Sequence, residues 1–174
     1  MVKIYLWFML VLLGFPGGQA IASQRTAHAV ADTLKTGMAS PDFRYRDVNG
    51  KVVALKDLKG KYVYIDIWAT WCGPCCLEIP HLKELEQKMH GKKIAFVSIS
   101  VDENRKAWQK FVKEKGMGGI QLNAEGNEKF MQAYGISGIP RFILLYKKGK
   151  IIEADMTRPS DPKTLKRLSE LKGI

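Results

Sequence analysis

From Tyr62 onward the apolar residues of this chain switch repeatedly between strand-like and helix-like spacing. Tyr62-Val63-Tyr64-Ile65-Asp66-Ile67-Trp68 is a continuous run of β-branched and aromatic residues with one acidic interruption, the pattern of a buried strand. After it, Pro80-His81-Leu82-Lys83-Glu84-Leu85 turns to helical spacing. A second strand is predicted over Ile94 to Ser100. An amphipathic helix follows, with Trp108, Phe111, Val112 and Lys115 at helical intervals. A short strand near Ile120 to Leu122 and a helix carrying Phe130, Ala133 and Tyr134 come next. Arg141-Phe142-Ile143-Leu144-Leu145-Tyr146 and a strand from Ile151 flank a Lys148-Gly149-Lys150 turn and read as a hairpin. The last segment, with Leu165, Leu168 and Leu171, is a closing helix with Asp161 as N-cap and Pro162 at the first helical position. Alternating strands and helices of this length make one α/β domain with a single core.

The candidate chemistry lies where the first strand gives way to a helix. Trp71-Cys72-Gly73-Pro74-Cys75 places two cysteines three positions apart, close enough to cycle between dithiol and disulfide within one turn. Pro74 fits the first helical turn, where a missing N–H is no loss, so Cys72 falls at the helix N-terminus. Unpaired N–H groups and the helix dipole there favour a thiolate, which makes Cys72 the attacking sulfur. Half of a zinc site has the same spacing. Tetrahedral zinc needs four ligands, however, and His28, His81 and His90 form no ligand pair, so no metal site is expected. A purely structural disulfide is the other reading. So short a loop removes little unfolded-chain entropy, which makes stapling a poor reason for it. Cys76 is an odd third thiol, expected to be partly buried.

Asp66 interrupts an otherwise apolar strand six positions before Cys72, and burial there should raise its pKa. Glu78 lies three residues after Cys75, on the same helix face one turn on. It is positioned to exchange a proton with the thiols, or else is a solvated helix glutamate.

Trp68-Ala69-Thr70-Trp71-Cys72-Gly73-Pro74-Cys75 resembles the thioredoxin superfamily, and the chain from about Ser40 onward resembles its TlpA/ResA-like extracytoplasmic branch. Ser40-Pro41-Asp42-Phe43, Asn49-Gly50-Lys51 and the stretch Leu55 to Lys61 are similar to that branch's lead-in hairpin and turn. Tyr134-Gly135-Ile136-Ser137-Gly138-Ile139-Pro140 is similar to its cis-proline segment. The resemblance implies a thioredoxin-like α/β fold, a central mixed β-sheet flanked by helices, with a TlpA/ResA-type strand-helix insertion between Cys75 and Pro140. It implies a protein-disulfide oxidoreductase without a cofactor, in which Cys72 attacks and Cys75 resolves. Asp66 aligns with the buried aspartate that moves the resolving cysteine's proton, and Glu78 with the active-site glutamate of ResA-like reductases. The Ile139 backbone beside Pro140 would face the Cys72 sulfur and pair with an extended substrate. An ordinary trans proline at a strand start is the plainer reading of Pro140. Trp71, Gly73, Pro74, Ile139, Pro140 and Arg141 are thus the candidate substrate contacts. Arg141 departs from the small or hydroxylated residue often found after this proline; it either recognises an acidic substrate or points to solvent.

The N-terminus changes what the cysteines mean. Lys3, an apolar run from Ile4 to Phe15, and Ala20-Ile21-Ala22 before Ser23 have the layout of a cleavable export signal, residues 1–22, followed by a tether over 23–39 and the domain over 40–174. The run is shorter than the roughly 20 apolar residues of a spanning helix, so an uncleaved anchor is the weaker reading. An exported dithiol works in an oxidising compartment, the periplasm of a bacterial envelope, and needs a supplied electron source such as a membrane thiol-disulfide donor. The formal net charge of +11 comes from lysines scattered through helices and turns, with no basic tract or aromatic stacking platform, so nucleic acid is not an expected partner. Exported protein thiols and disulfides are.

Gly73-Pro74 between the cysteines is the dipeptide of thioredoxin itself, which by resemblance favours reduction of disulfides in exported proteins, as in cytochrome c maturation or thiol protection. Disulfide oxidation or isomerisation is the alternative. A peroxiredoxin-type peroxidase needs a threonine and proline placed differently before the cysteine, and a copper carrier needs a later histidine than His90.

Overall fold

The computed structural model describes residues 34–174. A hairpin of β1 (Arg44–Asp47) and β2 (Val52–Ala54) leads through a 3-10 turn, Leu55–Leu58, into β3 (Tyr62–Trp68). Then come α1 (Gly73–Lys88), β4 (Ile94–Ser100), α2 (Arg105–Lys115), β5 (Ile120–Asn123), α3 (Glu128–Ala133), β6 (Arg141–Leu145), β7 (Ile151–Glu153) and α4 (Pro162–Ser169). The strands form one mixed sheet in the order β2-β1-β5-β4-β3-β6-β7. β3, β4 and β5 are parallel, while β6 and β7 and the β1–β2 hairpin run antiparallel to their neighbours.

Every residue of β3 and β4 is buried, as continuous apolar runs covered on both faces should be. Side chains alternate across the pleat. Val63, Ile65, Ile67, Val97 and Ile99 pack on one face against Phe43, Phe130 and Tyr134. Tyr62, Tyr64 and Phe96 pack on the other against Leu82 and Leu85 of α1 and Leu168 of α4. Each fully buried Ile or Leu contributes roughly 1.5–3 kcal/mol. A third cluster gathers Trp68, Ala69, Cys72, Cys75, Ile79, Trp108 and Val112 at the C-terminal end of β3.

The elements depart from expectation only at their ends. Tyr146 falls in the β6–β7 turn and is 41% exposed, Tyr134 caps α3, and Leu171 packs into the core past the end of α4. Residues ahead of Ser40 already belong to the sheet edge: Gly37 N–H donates to the Ile151 carbonyl at 2.7 Å and Ser40 N–H to Gly149 at 3.0 Å. Residues 1–22 lie outside the described residues.

The turn from α2 into β5 requires glycine. At Gly119 φ is +62°, and a Cβ there would sit 2.9 Å from the Phe96 carbonyl oxygen. Gly119→Ala is expected to lower stability by about 1–3 kcal/mol, read as an earlier denaturant midpoint at unchanged slope.

Candidate active site

β3 aims the chain at the site. Its last residue, Trp68, is buried, and its carbonyl accepts from Val101 N–H at 2.9 Å. The chain then turns so that Cys72 N–H donates to the Ala69 carbonyl at 3.1 Å and Cys72 becomes the N-cap of α1. Cys72 and Cys75 are joined by a disulfide, with Cα atoms 5.2 Å apart. The Cys75 N–H points at the Cys72 sulfur, 3.2 Å away, a free helix-terminal donor aimed where thiolate charge would develop. Pro74 lies in the first turn, where it costs no hydrogen bond. Pro80, in the helix interior, cannot donate to the Cys76 carbonyl four residues back.

Both bonded cysteines are nearly covered, at 6% and 4% exposure, yet their surroundings are open and apolar. Trp71 is 71% exposed and Leu77 74%, with Gly73 and Pro74 exposed between them. A Cβ on Gly73 would meet nothing within 4 Å, so sterics do not demand glycine there. Ile139 packs against the cluster that holds both cysteines, and the Ile139–Pro140 bond is cis. Arg141 does not point free into solvent: its guanidinium pairs with Asp155 at 3.0 Å.

Beneath α1, Asp66 shares a pleat face with Tyr64 and Trp68, between Ser98 of β4 and Phe142 of β6. It is 7% exposed, and burial raises its pKa to about 7; Glu78 and Glu86 push the same way, against the Ser98 hydroxyl. Glu86, further along α1, is likewise raised to about 7 by burial, with Lys83 opposing. Glu78 is not a solvated helix glutamate. It is 8% exposed, and its carboxylate accepts from Ser160 N–H at 2.9 Å and from the Ser160 hydroxyl at 2.8 Å. Cys76 is half-buried with its sulfur 3.6 Å from the Thr70 carbonyl; burial pushes its thiol pKa up, Lys115 opposes and Asp102 adds to the rise.

Sequence reading missed Leu77, Asp102 and Ser160's grip on Glu78. Leu77 carries an apolar side chain on a helix whose buried positions lie elsewhere. Asp102 lies two residues past β4, whose last residues alternate Ser98, Ile99, Ser100, with the two serines on one buried face. The Ser160 contact spans 82 positions and has no local signal.

A helix-capping disulfide at the C-terminal end of β3, an interior strand of this sheet, beside a cis-proline loop, defines a thioredoxin-fold thiol-disulfide oxidoreductase acting on protein substrates. The redoxin family model matches residues 35–171. The thiol-disulfide oxidoreductase ResA of Bacillus thuringiensis is 31% identical over 148 residues, covering 85% of each chain. ResA of Bacillus subtilis is 30% identical, covering 70% of this chain and 68% of the other. Among solved structures, a Bacteroides vulgatus protein assigned as a thiol-disulfide oxidoreductase is 58% identical, with a TM-score of 0.71 over 79% of this chain and 91% of that one. The thioredoxin domain of another B. vulgatus thiol-disulfide oxidoreductase is 27% identical with a TM-score of 0.72, over 79% and 97%. The chain belongs to the redoxin family and, within it, to the ResA/TlpA-like thiol-disulfide oxidoreductases. Among the described residues no helix is long and apolar enough to cross a membrane.

Proposed function

We propose that the protein reduces disulfides of exported proteins, such as those of cytochrome c maturation or thiol protection, outside the cytoplasm. The observation that carries this reading is Cys72 at the α1 N-cap, with the Cys75 N–H on its sulfur and exposed Trp71 and Leu77 on either side.

In the reduced enzyme the Cys72 thiolate attacks one sulfur of a substrate disulfide. A Cys72–substrate bond forms, the substrate's own S–S bond breaks, and the departing sulfur takes a proton. Cys75 then loses its proton to Asp66 and displaces the substrate from Cys72, which leaves the substrate as a dithiol and the enzyme as the Cys72–Cys75 disulfide. Two electrons pass to the substrate. A membrane thiol-disulfide donor returns them. Burial, with the Glu78 carboxylate held by Ser160 adding to it, raises the Asp66 pKa, so the ionised Asp66 carboxylate is a strong enough base to take the Cys75 proton. Trp71, Gly73, Pro74, Ile139 and Pro140 form the strip on which an extended substrate segment lies, with Arg141 at its edge. Residues 1–22 direct export to the periplasm with cleavage after Ala22, and the tether that follows ends short of Gly37, where the chain joins the sheet edge.

The test is the reduction potential of the Cys72–Cys75 pair, equilibrated with thiol buffers and followed through Trp68 and Trp71 fluorescence. A value near or below about −220 mV is expected, whereas one near about −120 mV would make the protein an oxidant of folding clients and overturn the proposed direction.

A further inference from the structure

Next to the cysteine turn lies a second buried polar group that the exchange chemistry does not use. Asp102, just past β4, is 5% exposed, Ser100 0% and Asn123 1%. The Asp102 carboxylate accepts three hydrogen bonds: from Thr70 N–H at 3.0 Å, from the Thr70 hydroxyl at 2.7 Å, and from the Ser100 hydroxyl at 2.6 Å. The Ser100 oxygen accepts in return from Asp102 N–H at 3.0 Å, and the Asn123 amide donates to the Asp102 carbonyl at 3.1 Å. A buried carboxylate is costly unless its lone pairs are filled, and here they are filled by donors from two separate parts of the chain. Thr70 is thereby fixed at both its backbone and its side chain, two residues before Cys72.

In the oxidised protein two restraints bear on the Cys72 sulfur and the chain leading into it beyond the backbone bonds of the turn: its bond to Cys75 and the clamp on Thr70. The first restraint is absent in the reduced enzyme and in the mixed disulfide, and returns only when Cys75 resolves the latter. Cys75 lies within α1, whereas Cys72 is its N-cap, tied to the helix by its carbonyl, which accepts from Cys76 N–H at 3.0 Å, and led into by the turn of residues 69–71. We propose that Asp102 is a positioning residue for thiol-disulfide exchange, holding Thr70, and through it Cys72, at the α1 N-terminus whenever the Cys72–Cys75 bond is open. The inference rests on the thiol-disulfide reading of that pair. It also accounts for the residue types: three converging donors need a group that only accepts, which aspartate supplies and asparagine does not.

The test uses Thr70→Val in the full chain, which keeps the Thr70 shape and its N–H contact but deletes the 2.7 Å hydroxyl bond. Two rates are measured: alkylation of Cys72 in the reduced protein, assigned to that residue by fragment mass spectrometry, and kcat/KM for reduction of a protein disulfide. Both are expected to fall about five- to tenfold, the worth of one buried hydrogen bond, and Thr70→Ser to recover them. Ile151→Val, a core truncation on β7 far from the turn, supplies a comparison that is destabilised without touching the clamp; its rates should stay at wild type. A Thr70→Val protein that melts earlier but keeps both wild-type rates would show the clamp to be structural only, and equal slowing in Ile151→Val would do the same. An inactive wild type would instead overturn the redox reading beneath it.

Discussion

A Cys75→Ser variant is expected to accumulate as a covalent adduct with its protein client, and a Cys72→Ser variant to form no adduct and to reduce disulfides no faster than the uncatalysed background. The asymmetry follows from where the helix begins. Cys72 is the N-cap, outside the first turn, and receives the Cys75 N–H at 3.2 Å, whereas Cys75 lies inside α1; both pack in the apolar cluster of Trp68, Ile79 and Trp108. The donor and the helix dipole favour charge on the Cys72 sulfur and leave the Cys75 thiol protonated until a base takes its proton. A serine at 75 cannot displace the substrate, so the mixed disulfide has no intramolecular exit. A serine at 72 removes the nucleophile and the adduct with it. Non-reducing gels with mass spectrometry of the trapped band read both outcomes and also identify the client. Adducts from Cys72→Ser but not from Cys75→Ser would reverse the two roles. The exposed Trp71 and Leu77 on either side supply apolar area for a bound segment, so the adduct should form with unfolded or extended clients more readily than with compact ones.

How much of this site is legible in the sequence depends on whether the signal is local. β3 and β4 stand out because strands covered on both faces must be apolar throughout, and the N-cap position of Cys72 follows from the strand-to-helix switch and from Pro74. β1 is different. Its residues, Arg44-Tyr45-Arg46-Asp47, carry no apolar run; the strand is held by pairing with β2 over Arg44–Arg46 and, where Arg46 and Asp47 oppose Asn123 and Leu122 of β5, by contacts that no window of local sequence contains. Only resemblance to relatives placed a hairpin there. The same holds for the polar contacts that shape the site. Glu78 reads equally well as a surface residue until Ser160 is found against it, and Arg141 reads as free until Asp155 is found at 3.0 Å. Asp66 was legible because a lone carboxylate in a buried strand is anomalous on its own. Thr70 and Asp102, each ordinary in its own segment, became informative only as a pair.

Asp66→Asn is expected to stabilise the folded protein and slow its turnover, with opposite pH dependences that identify a single group. Burial, reinforced by Glu78 and Glu86, raises the Asp66 pKa to about 7 in the folded state, against about 3.9 in an unfolded chain. The folded state therefore holds a proton that the unfolded state has released across this interval. Stability falls as pH rises from about 4 to about 7 and is flat beyond, the total change from this group being about 4 kcal/mol. Asparagine carries no such charge. The variant should match the wild type near pH 3 and exceed it by up to a few kcal/mol at pH 8, less whatever the Ser98 contact loses, in denaturant titrations at both pH values. Glu86 also titrates near 7 and slopes the same way, so the quantity to read is wild type minus variant, in which Glu86 drops out apart from its interaction with Asp66. Catalysis should move in the other direction. Without a carboxylate to accept the Cys75 proton, release of the mixed disulfide should slow roughly ten- to a hundredfold near neutral pH and recover as rising pH ionises Cys75 directly. A variant with wild-type turnover but the expected gain in stability would leave Asp66 a buried titrating group with no part in proton transfer, and the base for Cys75 would then have to be sought at Glu78.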